Sequence, residues 1–521
     1  AGVELDLPEK MIVESLECLP TDFEEFTNTF VDGLSVKNPL MLARRIQGLV
    51  SYFKGADERL LPKRLDEEST LVKVPMSEEQ FLRYLEGRWE EIQREAKQKR
   101  MKSELDSEFG SFRMTSRMVC NYAIPPELKY KSDPDEEEDS DKPEKEEKEK
   151  ILEIMKADPA RYLMEDVLDK FSPKMAKMLR DIKTNVAGNR NQFIYSQYKT
   201  LEGLGIFGAV LEANGFQQYK LIKSAGEWRE DPSMDFSKPA FAMYVGGNED
   251  ERELYRQIFN QDYSDTFPQA LKEAVEARGH KLCVIMASSA GAEGITLADV
   301  RNVYIMEAYW NPARIDQVIG RAIRICSHRK LEIPERTVKV QLYLSTFTEQ
   351  QTTSSEGPNI VSIRRNDMSL KRYDGGEPRQ AFMSSDEYLY EISYRKSRII
   401  KNISLILKQA AIDCEIHRNL HSKERPVIQC MRFDTTSKSE DLAFKSSIKS
   451  NERDTLYLRN VQRKSRRLQK IRVKGIMMIL DPDTNEIFDF MAFEDTQRLL
   501  RLGLRTSKNE ISFYLSNIIN V

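Results

Sequence analysis

Residues 166–350 predict an α/β domain, a parallel sheet flanked by helices, on three observations. Short apolar runs alternate with amphipathic helical segments, the pattern of strand–helix–strand units. The helices carry start and stop signals, such as the Ser172-Pro173 opening and the Gly215 close. A strand at 282–287 runs straight into a serine- and glycine-bearing turn, residues 287–297.

The elements follow in order. Residues 1–125 read as largely helical, with an alternating strand at Leu71–Met76 and a helix with charge on every face from Ser77 to Lys102. Residues 133–150 hold eleven acidic and four basic side chains and predict a self-repelling tether within an acidic disordered linker, 126–165. A DNA-mimicking role for that run is the sharper alternative. Ser172 caps a helix presenting Met175, Met178 and Leu179 on one face. Strands are expected at 191–196, 241–245, 282–287, 303–306 and 338–344, with a helix at 201–214. Residues 351–380 predict a polar loop containing the Gly375-Gly376 turn. Ser384 and Glu387 form a capping box for a long amphipathic helix that should pack onto the domain. The rest of 381–521 predicts a small basic α+β domain with a strand over 471–480, a turn at Asp481–Asn485 and a strand at 487–490.

With 521 residues, 40% of them apolar, the chain can build two or three cores. The longest apolar run, Gly475–Leu480, is far short of the roughly 20 residues that cross a bilayer, which argues against membrane insertion. Six dispersed cysteines without a C-x-x-C, and four dispersed histidines, fit a reducing compartment and argue against zinc. His417 and His421, at helical spacing beside Cys414, lack further ligands nearby and read as surface residues. Net charge is −4, yet residues 381–521 carry 25 Lys/Arg against 18 Asp/Glu, an attraction for phosphate backbones that many globular domains also show.

Two motifs carry chemistry. Residues 317–324 read Q-x-x-G-R-x-x-R, and a helix there would project Gln317, Arg321 and Arg324 from one face, with Gly320 permitting close backbone approach. Upstream, Ser288-Ser289 precede Gly291 and Gly294, whose turn can bring backbone N–H groups to phosphates. The plain alternatives are a basic helix face and glycines kept for steric reasons. Together the blocks resemble motifs VI and V of superfamily 2 helicases and translocases. Phe193–Ser196, Tyr244–Asn248 with Arg252 and Phe259-Asn260, and Glu307–Pro312 resemble neighbouring segments of the same lobe. Trp310 is either a stacking residue or, the plainer reading, a packed turn residue.

The fold this implies is a RecA-like second helicase lobe at 166–350, with a helical N-terminal linker region and a C-terminal α+β extension. Residues 44–53, 74–80, 111–121, 385–390 and 408–414 are similar to the poxvirus-type helicases of nucleocytoplasmic large DNA viruses, a group that includes the early transcription factor small subunit and nucleoside triphosphatase I. The resemblance implies ATP hydrolysis with Mg²⁺ and nucleic-acid-driven work in viral transcription, in virion, cytoplasmic viral factory or nucleus. Arg324 would be the arginine finger, with Arg321 beside it and Gln317 toward nucleotide or water. Gly291, Gly294 and Gly320 would bind the nucleotide, and Ser196, Ser288 and Ser289 nucleic acid. Residues 459–474, eight basic and no acidic, add Arg463, Lys464, Arg466 and Arg467 as phosphate contacts; a nuclear address or a solvated face are the alternatives.

The 521 residues contain no G-x-x-x-x-G-K-[ST] loop and no Asp-Glu pair ending an apolar strand. With Ala at position 1, this predicts the C-terminal part of a motor whose first RecA-like lobe, with the Mg²⁺ ligands, is supplied from elsewhere. Expected partners are DNA, or RNA as an alternative, that lobe, and viral RNA polymerase. A non-catalytic virion or transcription-complex scaffold is the competing reading.

Overall fold

The structure, a computed structural model, describes residues 11–16, 19–52, 60–65, 70–101, 113–128, 142–186, 190–224, 226–246, 248–288, 294–373, 377–416, 428, 430–431, 461–466, 468–473, 475–496, 499–506 and 511–513. The chain divides into two compact units, Gly55–Arg398 and Ala1–Lys54 with Ile399–Val521.

The larger unit is built on an all-parallel sheet of eight strands. They are β1 (Lys63–Leu65), β2 (Leu71–Pro75), β3 (Asn191–Tyr195), β4 (Gln217–Gln218), β5 (Ala240–Tyr244), β6 (Leu282–Ala287), β7 (Val300–Ile305) and β8 (Thr337–Thr346). The order is β1-β8-β7-β3-β6-β5-β4, and β2 also lies along β8. All residues of β3 and β6 are buried, as central parallel strands covered on both faces must be. Two apolar layers result. One holds Phe193, Ile285, Val303 and Leu254; the other holds Ile194, Met286, Tyr304 and Phe207.

The helices used below are α1 (Glu78–Met101), α2 (Met114–Asn121), α3 (Lys142–Ala157), α4 (Pro173–Val186), α5 (Leu204–Ala213), α6 (Glu249–Asn260), α7 (Gln269–Arg278), α8 (Pro312–Ala322), α9 (Ile360–Asp367) and α10 (Ser385–Ala410), among others. Ser172 Oγ accepts the Met175 N–H at 3.1 Å, capping α4, and Gly215 at φ +97° follows the end of α5. At α10 both capping-box bonds form: Glu387 N–H to Ser384 Oγ at 3.1 Å, and Ser384 N–H to Glu387 Oε2 at 3.3 Å.

Several expectations change. The acidic run is helical from Lys142, and Ile151 and Met155 of α3 are buried, because apolar residues at this spacing give a charged helix one face to pack; residues 133–141 lie outside the described residues. Residues 351–380 hold α9, whose Ile360 and Ile363 are buried, and the paired strands Met368–Lys371 and Arg379–Phe382; Gly375-Gly376 lie outside the described residues. The single strand expected at 471–480 is a hairpin, Gln469–Val473 against Ile476–Leu480, with Gly475 at φ +87° making the turn.

A charged network is buried in the larger unit. Asp367 accepts two hydrogen bonds from Arg88, at 2.8 and 2.9 Å, and one from Arg113 at 3.1 Å. Arg88 also reaches Glu91 at 3.2 Å and Glu95 at 2.9 Å.

In the other unit, Phe30, Leu42, Ile46, Ile406 and Ala410 form one core. A five-stranded antiparallel sheet spans 469–513. Cys414 and Cys430 form a disulfide, which departs from the expectation of a reducing compartment drawn from the dispersed cysteines. No helix among the described residues is long and apolar enough to cross a membrane, and no group of three or more His, Cys, Asp or Glu there could hold a metal.

Candidate active site

The end of α8 meets the turn before β7 at the N-terminal edge of the parallel sheet, whereas Ser196 and Ser288 follow the C-terminal ends of β3 and β6, at the other edge. Asn311 opens α8 by accepting the Ala313 N–H at 3.1 Å, and Pro312 occupies the first turn, where a missing N–H costs nothing. The helix ends at Ala322, because Ile323 leaves helical geometry at φ −103°, ψ 86°. Gln317 and Arg321 therefore share a helix face, whereas Arg324 sits past the end, contrary to the one-face expectation.

Arg324 turns back on its own helix. Its Nε donates to the Gly320 carbonyl at 3.1 Å, and Nη1 donates to Thr296 Oγ1 in the turn before β7. A side chain at position 320 would meet nothing within 4 Å, so this glycine is not needed for closeness to any described group. The Leu297 N–H donates to the Arg321 carbonyl at 3.1 Å. Motifs V and VI are thus joined by backbone and side chain alike. Burial and the neighbouring Arg321 both lower the Arg324 pKa. Among the described residues no carboxylate lies within ion-pair distance of either arginine, and Arg321 Nε is buried without a partner.

Asn260, at the end of α6, holds the same turn. Its Nδ2 donates to the Thr296 carbonyl at 2.9 Å, and its Oδ1 accepts the Ala298 N–H at 2.7 Å. Asn191 Nδ2 donates to the Ala298 carbonyl at 3.0 Å. By resemblance Asn260 belongs to a block that lies along the nucleic-acid backbone; nothing local marks Asn260, Thr296 or Asn191 as braces of this turn, because polar residues at turns and element ends look like ordinary caps.

Gly294 is exposed at φ +78°, a conformation that favours glycine. Ser289, Gly291 and Glu293 lie outside the described residues. Ser288 is fully buried, and its Oγ has no hydrogen-bond partner among the described residues. Ser196 is buried too, its hydroxyl donating to Glu307 Oε1 at 2.8 Å, so it is not a surface contact as it stands. Glu307 also accepts the Gln197 N–H at 2.5 Å, and burial raises its pKa. Trp310 is half-buried, with the Lys396 ammonium 4.1 Å from its ring, which favours the packed-turn reading. Arg463, Lys464 and Arg466 lie on strand Val461–Arg466, paired antiparallel with Met11–Leu16; Arg467, His417 and His421 lie outside the described residues.

The helicase conserved C-terminal domain family matches residues 261–326, which span the turn before β7 and all of α8. A protein of Acanthamoeba polyphaga mimivirus named as an ATP-dependent RNA helicase is 28% identical over 76% of this chain and 56% of its own length. A termination factor NPH-I homolog of African swine fever virus is 26% identical over 76% of this chain and 53% of its own. The chain spans about half the length of these relatives. Among solved structures, the C-terminal part of the Fun30 ATPase domain gives a TM-score of 0.32 at 13% identity, covering 65% of this chain and 99% of that one, and is too distant to carry an argument. Residues 261–326 thus match the helicase conserved C-terminal domain, and the chain is similar over most of its length to helicase-like proteins of large DNA viruses.

Proposed function

We propose that this chain is the C-terminal part of an ATP-dependent nucleic-acid translocase serving viral DNA transcription. The observation that carries the reading is the arginine pair ending α8, held against the turn before β7 with no carboxylate partner among the described residues. Two adjacent guanidiniums without an acid suit a phosphate. Arg324 is the finger that stabilises charge on the transferred phosphoryl group, a contribution of roughly 10³–10⁵ in rate in related chemistry. Arg321 sits beside it, Gln317 faces nucleotide or water, and the Gly291–Gly294 turn approaches the phosphates. A first RecA-like lobe outside these 521 residues supplies the phosphate loop and the Mg²⁺ ligands. Ser289, with Arg463, Lys464, Arg466 and Arg467, contacts the nucleic-acid backbone; Ser288 and Ser196 are buried, and Ser196 orders the adjoining strand end through Glu307.

ATP hydrolysis by the chain, with and without DNA, alone and mixed with a first-lobe protein, tests this. Silence alone and DNA-stimulated turnover in the mixture, abolished by Arg324→Ala, is the expected result. Turnover indifferent to Arg324→Ala sinks the reading. Silence in every combination favours the scaffold.

A further inference from the structure

The turn after α8 is closed by a relay of side chains that phosphate binding alone does not require. Ser327 Oγ accepts the Arg324 backbone N–H at 3.3 Å and lies 2.9 Å from the Arg324 carbonyl and 3.2 Å from the Ala322 carbonyl. The same oxygen is 2.9 Å from His328 Nδ1. His328 is 1% exposed, and its Nε2 is 2.8 Å from the Val300 carbonyl. A carbonyl only accepts, so Nε2 carries hydrogen, and Nδ1 of the neutral ring accepts the Ser327 hydroxyl.

Ser327 is anchored by its backbone as well. Its N–H donates to the Arg324 carbonyl at 3.1 Å, and its carbonyl accepts the Asp299 N–H at 3.0 Å. Arg324 is therefore held from Ser327 at its main chain, and from Gly320 and Thr296 at its guanidinium. Burial pushes the His328 pKa down and keeps the ring neutral. Asp299 opposes this shift, while Arg301 and Arg336 reinforce it. Arg329 and Lys330 in turn face Asp299.

We infer that Ser327 and His328 are positioning residues for Arg324: the imidazole orients the Ser327 hydroxyl, and that hydroxyl fixes the backbone from which the guanidinium projects. The inference rests on the assignment of Arg324 to a phosphate. Protonating His328 puts hydrogen on Nδ1, so the Ser327 hydroxyl must swing to the Arg324 or Ala322 carbonyl. The turn then changes its hydrogen-bond pattern without any covalent change.

The test uses the 521-residue chain labelled with ¹⁵N at histidine and arginine, His328→Asn assigning the ring signals and Arg324→Ala the guanidinium signal. The expected result is an Nε2–H tautomer titrating below the ordinary 6.5, and an Arg324 Nε resonance that moves in Ser327→Ala but not in Ser327→Thr. In the DNA-stimulated mixture, Ser327→Ala lowers kcat by about tenfold to a hundredfold, Ser327→Thr keeps it, and His328→Asn removes an acid limb that the parent chain shows. An Nδ1–H tautomer overturns the inference, as does an Arg324 signal that ignores Ser327→Ala. Turnover abolished by Arg324→Ala yet unchanged by Ser327→Ala overturns the inference alone. Turnover indifferent to Arg324→Ala overturns the phosphate assignment together with it.

Discussion

Replacing Asn260 by Ala should open the turn that receives Arg324. The side chain is 4% exposed and serves two backbone groups, the Thr296 carbonyl at 2.9 Å and the Ala298 N–H at 2.7 Å. Truncation leaves one acceptor and one donor without it, at about 1–3 kcal/mol each. For the Ala298 amide alone, that corresponds to exchange with solvent roughly tenfold to a hundredfold faster. Hydrogen exchange read at single-residue resolution is the assay. Asn260→Asp keeps the oxygen that faces Ala298 but sets a carboxylate against the Thr296 carbonyl, so Ala298 protection should survive while the turn still weakens. Lys330→Ala, which removes only the 2.8 Å bonds to the Asn260 and Gln261 carbonyls from an exposed ammonium, should leave Ala298 protected. A folded Asn260→Ala protein with unchanged Ala298 protection would refute the reasoning.

Asp367→Ala strips a buried carboxylate from Arg88 and Arg113 and should destabilise the Gly55–Arg398 unit by about 3–5 kcal/mol in chemical denaturation. Its carboxyl is held below the usual 3.8; burial opposes this, and the two arginines prevail. Its stabilisation is therefore complete above that value and lost as pH falls through the lower folded pKa, so the parent chain should show an acid loss that Asp367→Asn lacks. Gly203→Ala would drive a methyl into the Tyr198 carbonyl oxygen, forcing the 198–203 turn to shift; a lowered melting temperature checks it, and an unchanged one counts against the packing. Pyrophosphate at a hundred times its Kd should stabilise the parent chain by about 2.7 kcal/mol, and the gain should vanish in the Arg321→Ala/Arg324→Ala double variant.

What was legible in the sequence was what repeats or punctuates. Apolar runs marked β3, β5, β6, β7 and β8, and Ser172, Gly215 and the Ser384–Glu387 pair marked helix ends where the structure has them. Long-range pairing was not legible. Leu71–Pro75 reads as a strand, but nothing local says that it lies parallel to Leu342–Thr346, more than 250 residues away. The site was legible as motifs and not as geometry. Helical spacing carried Arg324 onto a face that the chain abandons two residues earlier, since Q-x-x-G-R-x-x-R contains no proline or glycine at its break. Burial of Ser196 and Ser288 was hidden for a related reason: a hydroxyl at a strand end looks the same whether it meets a ligand or a buried glutamate.

The position of Arg324 beyond the helix changes what the site requires. A guanidinium has five N–H donors, and the contacts to Gly320 and Thr296 use one at Nε and one at Nη1. Three donors remain, so a phosphate can be engaged without releasing the bonds that fix the side chain. Both of those bonds come from one neighbourhood, the last turn of α8 and the turn before β7; Asn260 braces the turn before β7 and Ser327 the backbone of Arg324. The rotamer entropy of a long side chain is thus lost on folding rather than on nucleotide binding, and this is the condition under which a charge placed near a phosphoryl group favours the transition state.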